Sequence, residues 1–186
     1  MKKILGIGNA LVDIMTKVPN DSVLAEFNLP KGSMQLIDAE HSHQIADKIE
    51  KYNPRITAGG SASNTIHGLA RLGIQCGFLG KIGTDQLGQL FMSDMKKDKI
   101  GTHLCASTTA TGRSIAFVTP DSERTFATYL GAAVELSATD IDGQVFSQYD
   151  TLYVEGYLVQ DHNLIETACR ISSATTISNT TRQTAS

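Results

Sequence analysis

Three observations predict an α/β fold for this chain. Helix-like and strand-like patterns alternate from residue 3 to residue 171, which is typical of a parallel sheet covered by helices. One stretch among them, residues 112–130, has the pattern of a β-hairpin, so a small antiparallel element is expected beside that sheet. Apolar residues make up 41% of the 186 residues and charged residues 19%, a composition that supports a domain with its own hydrophobic core.

The first strand is predicted at residues 3–8, a short apolar run that continues past Asn9 into a more polar stretch. The chain beyond it reads as an irregular insert. Asp38 is then a suitable N-cap for a helix that reaches about Tyr52, because apolar residues recur on one face of that segment.

Two further helices with a strand between them are predicted next. Residues 63–72 form a short amphipathic pattern, and Gly73 suits the left-handed residue that closes many helices. Residues 74–81 read as the strand. Thr84 is expected to cap the following helix, whose closing lysines suit the helix dipole, and Asp85 is expected to stabilise that helix start.

The hairpin is predicted from two strands, residues 112–119 and 124–130, around a turn that contains proline. A strand at residues 151–155 and a helix at residues 162–171 follow. From Ser172 the sequence is rich in serine and threonine, and such segments bury too little apolar surface to become ordered.

Residues 172–186 are therefore expected to be either a flexible C-terminus or an aberrant tail. A frameshift or truncation that replaced the proper continuation would produce such a tail, and the folded domain would then be residues 1–171.

Composition excludes several classes of partner and location. The chain has 16 basic and 19 acidic residues and no basic stripe, so neither nucleic acid nor a membrane surface is expected as a partner. Asn9 and Asp13 interrupt the N-terminal apolar run before a signal sequence could form. Cys76, Cys105 and Cys169 are widely spaced, which favours free thiols in the cytoplasm.

Two partial motifs in the sequence lack the residues that their function needs. Gly6 and Gly8 resemble the start of a dinucleotide-binding fingerprint, but Leu11 stands where the third glycine is needed. His41 and His43 lie two positions apart on a predicted helix and do not share a face, so no metal site is expected there.

The segment around Gly59 and Gly60 favours a ligand-binding function. Paired glycines let the backbone approach a ligand closely, and the helix start that follows offers free N–H groups to an oxygen-rich ligand. Asn64 lies in that helix start. The alternatives are that Gly59 and Gly60 form only a turn, and that Asn64 only satisfies its own backbone at the helix start.

Four segments together resemble a known family. In chain order they are GIGNALVD, AGGSASN, LGKIGTDQLG and GRSIAFVTPDSERTFATYLGAA. They resemble the pfkB-type, or ribokinase-like, carbohydrate kinases, in particular adenosine-kinase-like bacterial members, from about Lys2 to Ile171. The resemblance implies a three-layer α/β/α fold with a small β lid, built from roughly residues 10–37 and 108–131, with the C-terminal half of the fold missing.

The resemblance also implies a set of substrate-binding residues. Asp13 would hold two neighbouring sugar hydroxyls with Asn9 beside it, Gly59 and Gly60 would bring the backbone to the sugar, and Asn64 would bind a further hydroxyl. An ionised carboxylate can accept both hydrogen bonds of a vicinal diol, which supports the role of Asp13. The alternative for Asp13 is a solvated position at a strand end.

Family members phosphorylate a primary hydroxyl of a sugar or nucleoside with ATP and Mg²⁺. Their base and anion hole come from a late Asp-Thr-x-Gly-Ala-Gly-Asp segment, and an Asn-x-x-Glu motif is linked to magnesium; neither occurs in this sequence. No catalytic or metal-binding residue is therefore expected, and this chain is expected to be inactive alone.

The alternative function is a non-catalytic module that binds a sugar or forms a homodimer through the lid. Ser61, where some ribose-specific members have lysine, slightly favours a nucleoside or another sugar.

Overall fold

A computed structural model describes residues 2–172 of this chain. Its helices are α1 (Ser22–Glu26), α2 (Ala39–Ile49), α3 (Ser61–Arg71), α4 (Gln86–Lys97), α5 (Gly143–Phe146) and α6 (His162–Ile171). Its strands are β1 (Ile4–Ile7), β2 (Leu11–Lys17), β3 (Met34–Leu36), β4 (Arg55–Gly59), β5 (Cys76–Gly83), β6 (Gly101–Ser107), β7 (Gly112–Val118), β8 (Arg124–Tyr129) and β9 (Thr151–Val154).

The central sheet has the strand order β6-β5-β1-β9, and every pairing in it is parallel. Its two inner strands, β1 and β5, are largely buried because helices cover both faces of the sheet. Leu5 of β1 faces the apolar cluster that contains Leu164 of α6, whereas Phe78 of β5 faces the cluster that contains Ile66 of α3. The helix layers on either side give the α/β/α arrangement that the sequence predicts.

The second sheet has the order β3-β8-β7-β2-β4 and mixes parallel with antiparallel pairs. One of its faces is buried in the cluster that contains Ile45 and Ile49 of α2. The other face is open, and Asp13, Met15 and Leu36 lie on it. The sheet uses strands from both predicted lid ranges, residues 10–37 and 108–131, and adds β4 from outside them.

Several predicted elements are present at their expected positions. The hairpin pairs β7 with β8 from Arg113–Tyr129 to Val118–Arg124. Helix α6 has the predicted bounds, and Asp38 caps α2 by accepting a hydrogen bond from the His41 N–H. Gly73 has a positive φ of 87° just after α3, as its predicted role requires.

Other predictions need correction. Asp85, not Thr84, is the N-cap of α4, because its side chain accepts from the Gly88 N–H at 2.8 Å. Helix α3 begins at Ser61, two residues earlier than predicted, since Gly60 serves as its N-cap. The insert after β1 is not irregular but contains β2, α1 and β3, and the edge strands β4 and β6 were not predicted.

Polar contacts hold the second sheet at two places. At its base, Asp85 also accepts hydrogen bonds from the Thr111 N–H at 2.8 Å and the Thr111 hydroxyl at 2.6 Å, which join α4 to the start of β7. At its far tip, Lys31 Nζ lies 2.9 Å from Asp21 Oδ2 and 2.7 Å from Asp121 Oδ2, which joins the insert to the hairpin turn.

Several expectations lie outside what the structure describes or tests. The predicted tail falls outside the described residues from position 173 onward.

Within residues 2–172, no helix is long and apolar enough to cross a membrane. Cys76, Cys105 and Cys169 all carry free thiols. The cytoplasmic location, and the expectation that neither nucleic acid nor a membrane surface is a partner, stay predictions.

Candidate functional site

The candidate site lies where β2 and β4 run side by side in the second sheet. Asp13 of β2 pairs with Thr57 of β4 and, on its other side, with Ser114 of β7. Its carboxylate points toward Gly59, the last residue of β4. A Cβ added at Gly59 would stand 2.1 Å from Asp13 Cγ. The missing side chain at position 59 is therefore what makes room for the carboxylate.

Asn64 contacts the same carboxylate. It lies in the second turn of α3, exposed to solvent, and its side chain is hydrogen-bonded to Asp13. Burial raises the pKa of Asp13, and the hydrogen bond from Asn64 opposes this rise without cancelling it. The side chain of Asn64 is thus directed at Asp13 and does not cap α3, whose N-cap is Gly60.

Gly60 brings the β1–β2 connection against the start of α3. Its φ of 90° is a conformation that residues with a side chain rarely adopt, and an added Cβ would lie 2.4 Å from the backbone oxygen of Asn9. We call Gly59 and Gly60 the diglycine turn. The structure therefore places the turn, Asp13, Asn64 and the backbone of Asn9 together.

Asn9 occupies a different position from the other predicted residues. It is only 7% exposed, and its backbone N–H donates to Glu155 Oε1 at 2.7 Å. Its side chain is also hydrogen-bonded to Glu155. Asn9 is therefore a buried residue whose polar groups are used within the protein.

Glu155 is a site residue that the sequence analysis missed. It directly follows β9, is 2% exposed, and accepts a second hydrogen bond from the Ala62 N–H in the first turn of α3, at 3.0 Å. Burial raises its pKa, although the hydrogen bonds from Asn9 and Ala62 work in the opposite direction. The sequence signal that could have indicated Glu155 is an acidic residue at the end of a predicted strand, residues 151–155. In the structure its carboxylate faces Gly8, just after β1.

An apolar cavity lies on the same face of the second sheet. One row of paired residues runs Leu36, Thr128, Ser114, Asp13 across β3, β8, β7 and β2. Directly paired residues point to the same face, so Thr128 lies about 10 Å, two strand spacings, from Asp13. The cavity has a volume of about 350 Å³ and is lined by Leu36, Ile37, Thr109, Thr128, Tyr129, Leu130, Gly131, Val134 and Glu135.

A second hollow, of about 640 Å³, lies at the far tip of the second sheet around Lys31. It contains none of the predicted substrate residues, and the charged groups that line it are engaged in the Lys31 ion pairs with Asp21 and Asp121. The smaller cavity is therefore the better continuation of the candidate site.

Metal-ligating side chains do not cluster in the described part of the chain. Within residues 2–172, no group of three or more His, Cys, Asp or Glu side chains is arranged to hold a metal. The carboxylates that lie nearest the site, Asp13 and Glu155, are bonded to Asn64 and to backbone N–H groups respectively.

The fold is shared with solved nucleoside and sugar kinases. Adenosine kinase from Sinorhizobium meliloti superimposes with a TM-score of 0.80 at 36% identity, over 93% of this chain and 54% of that one. A probable sugar kinase from Rhizobium etli gives a TM-score of 0.80 at 34% identity, over 92% and 53%. The ribokinase-like fold predicted from the sequence is thereby confirmed.

The family is established by a second comparison. The model of the pfkB family of carbohydrate kinases matches residues 29–184, and this chain belongs to that family. A curated relative, 5-dehydro-2-deoxygluconokinase from Bacillus thuringiensis (strain Al Hakam), is 29% identical over 103 residues, which are 53% of this chain and 31% of the relative. The chain thus spans 54% of the S. meliloti structure and a smaller share of this relative.

Proposed function

We propose that this chain forms the substrate-binding side of a kinase that transfers a phosphoryl group from ATP to a hydroxyl of a sugar or nucleoside. The observation that carries the proposal is the Asp13 carboxylate, half-buried on an open face and placed between Asn64 and the diglycine turn. A carboxylate has about four lone-pair positions. The hydrogen bond from Asn64 occupies one of these positions. The others can accept hydrogen bonds from both hydroxyls of a diol.

Each remaining residue has a role in this proposal. Gly59 and Gly60 let the backbone approach the sugar, and the amide of Asn64 binds a further hydroxyl. Asn9 fixes the turn from behind, because both its backbone N–H and its side chain are bonded to Glu155. The second sheet, with its open face over the site, acts as the lid.

The cavity favours a nucleoside over a plain sugar. It lies in the same row as Asp13 and has the volume of a small-molecule pocket. Leu36, Ile37 and Val134 give it apolar walls suited to a flat aromatic base, while Thr128 supplies a hydroxyl. We therefore propose that the sugar of a nucleoside binds at Asp13 and that its base enters this cavity.

ATP and Mg²⁺ are implied by the family, and residues 2–172 contain no cluster of three or more metal-ligating side chains. The sequence lacks the Asp-Thr-x-Gly-Ala-Gly-Asp segment that supplies the family's base and anion hole, so these groups are not assigned to this chain. We propose that the chain binds substrate and does not turn it over by itself.

Calorimetry on the purified chain with adenosine, ribose and fructose tests the binding proposal, with Asp13→Ala as the matched variant. We expect saturable binding of adenosine that the variant loses. A folded chain that binds none of the three compounds would overturn the proposed substrate site. Substrate-dependent ADP release from the purified chain would overturn the proposed inactivity.

A second candidate function, self-association through the open face of the second sheet, rests on its apolar side chains. Met15, Met34 and Leu36 share this face and are 40%, 50% and 64% exposed. Clustered exposed apolar residues often mark interaction surfaces. Sedimentation velocity with Met34→Lys tests it, since a dimer through this face would dissociate and a monomeric wild-type chain would contradict it.

A further inference from the structure

The diglycine turn is held on both sides by a carboxylate. Before the turn, the Ala58 N–H donates to Asp94 Oδ2 of α4 at 3.0 Å. After the turn, the Ala62 N–H donates to Glu155 Oε2 at the same distance. Strand β4 is an edge of the second sheet, so a backbone N–H on its outer side has no neighbouring strand to bond. Asp94 takes the place of that strand at Ala58.

The last turn of α4 also holds the helix that follows the diglycine turn. Asp98, the C-cap of α4, lies 2.7 Å from His67 Nδ1 and accepts a hydrogen bond from Arg71 Nε at 2.9 Å, and both partners belong to α3. Asp94 and Asp98 are four residues apart and share a face of α4. One end of α4 therefore contacts the segments before and after the diglycine turn.

The position of β4 matters because the fit between Gly59 and Asp13 is tight. A Cβ at position 59 would stand 2.1 Å from Asp13 Cγ, so the backbone of Gly59 lies directly against the carboxylate. A small outward movement of β4 would separate the diglycine turn from Asp13, the two groups that are proposed to hold the substrate diol together. The bond between Ala58 and Asp94 lies one residue from this contact and opposes that movement.

We propose that Asp94 is a positioning residue for substrate binding, which sets the backbone of the diglycine turn against Asp13 without touching the substrate. The part of this inference that concerns substrate rests on the proposed function. Asp94 is only 19% exposed at its side chain, so its bond to Ala58 is partly shielded from water. Its other partner, Lys97, is 71% exposed and bonds the opposite oxygen at 2.7 Å.

The chain offers a matched control for this test. Asp94→Ala removes the bond to Ala58, whereas Lys97→Ala removes only the exposed ion pair of Asp94. Asp94→Asn keeps an oxygen that can accept from Ala58. We expect calorimetry with adenosine to give an affinity about tenfold weaker for Asp94→Ala, with Lys97→Ala unchanged and Asp94→Asn close to wild type.

Amide hydrogen exchange of the ligand-free protein gives a readout that does not depend on substrate. We expect faster exchange in Asp94→Ala confined to residues 57–64, with the central sheet and α6 unchanged. Equal affinity in Asp94→Ala and wild type would overturn the inference. So would a loss of the same size in Lys97→Ala, or faster exchange throughout the protein, which indicates a purely structural role.

The two proposals fail in different ways. If the wild-type chain binds no sugar or nucleoside, the proposed function fails and the exchange data alone decide the role of Asp94. Local acceleration in Asp94→Ala that Asp94→Asn reverses would then support the positioning of the turn, and unchanged exchange would overturn it.

Discussion

Gly59 lies so close to Asp13 on the neighbouring strand that no side chain fits between them, since an added Cβ would be 2.1 Å from Asp13 Cγ. The Asp13 side chain can rotate away from such a Cβ, so Gly59→Ala should fold. The carboxylate would then leave the position proposed for diol binding. We expect adenosine affinity to fall at least tenfold in calorimetry, with little change in the urea midpoint.

Gly68→Ala is the control for this variant. Gly68 lies in α3, and an added Cβ there meets no atom within 4 Å. Replacing a helical glycine by alanine should stabilise the protein by about 0.5–1 kcal/mol and leave affinity unchanged. Wild-type affinity in Gly59→Ala would contradict the proposed role of the turn.

Gly60→Ala should behave differently because backbone, not side chain, stands in the way. The φ of Gly60 is 90°, and an added Cβ would lie 2.4 Å from the Asn9 backbone oxygen. The backbone must then move or remain strained, which costs about 1–3 kcal/mol. Urea denaturation should show this loss of stability, and a variant as stable as Gly59→Ala would contradict the argument.

Substrate affinity should decrease as the pH falls. A diol donates hydrogen bonds to ionised Asp13, and burial raises the pKa of Asp13 above its ordinary value. Protonation therefore begins at a higher pH than for an exposed aspartate, and affinity is lost as the pH falls through this raised pKa. Calorimetry from pH 8 down to pH 4 measures the effect.

Asp13→Asn separates this effect from the titration of Glu155, whose pKa burial also raises. The amide cannot titrate, so the variant should bind weakly with an affinity that does not change with pH. A variant that keeps the wild-type pH profile would assign that profile to another group.

Glu155→Ala should destabilise the fold. It would leave the N–H groups of Asn9 and Ala62 buried without their partner, which costs about 2–4 kcal/mol in total. The control is Glu166→Ala on the exposed side of α6, which should change stability by less than about 0.5 kcal/mol. Urea denaturation of both variants measures the difference, and equal stabilities would contradict the role given to Glu155.

Leu36→Ala should separate nucleoside binding from sugar binding. Leu36 lines the cavity beside the site, so its truncation should weaken adenosine binding about threefold to tenfold and leave ribose binding unchanged. Leu72→Ala, at an 81% exposed leucine just after α3, is the control. If Leu36→Ala lost as much affinity for ribose as for adenosine, the proposal that the base of the nucleoside enters this cavity would be wrong.

Local patterns in the sequence predicted much of this structure. The hairpin, α6 and the cap of α2 depend on turn residues and periodicity, which operate over a few positions. The cap of α4 was misplaced because Thr84 and Asp85 are adjacent and both can cap a helix. Strand β4 was missed because it is a short edge strand that ends in glycine.

The candidate site could be predicted only in part, for a different reason. The family motifs indicated Asp13, the diglycine turn and Asn64, and the structure brings them together. The contact between Asn9 and Glu155 joins residues 146 positions apart, so no local pattern contains it. Asn9 is buried where it makes this contact, so its burial could not be predicted from the sequence either.

The two ends of the second sheet should respond differently to ionic strength. Its tip is held by Lys31 with Asp21 and Asp121, whose side chains are 34% to 58% exposed, and dissolved ions weaken such pairs. Its base is held by Asp85 and Thr111 through hydrogen bonds to an uncharged partner, which salt affects little. Raising the salt concentration therefore loosens the outer end of this sheet while leaving its attachment to the central sheet intact.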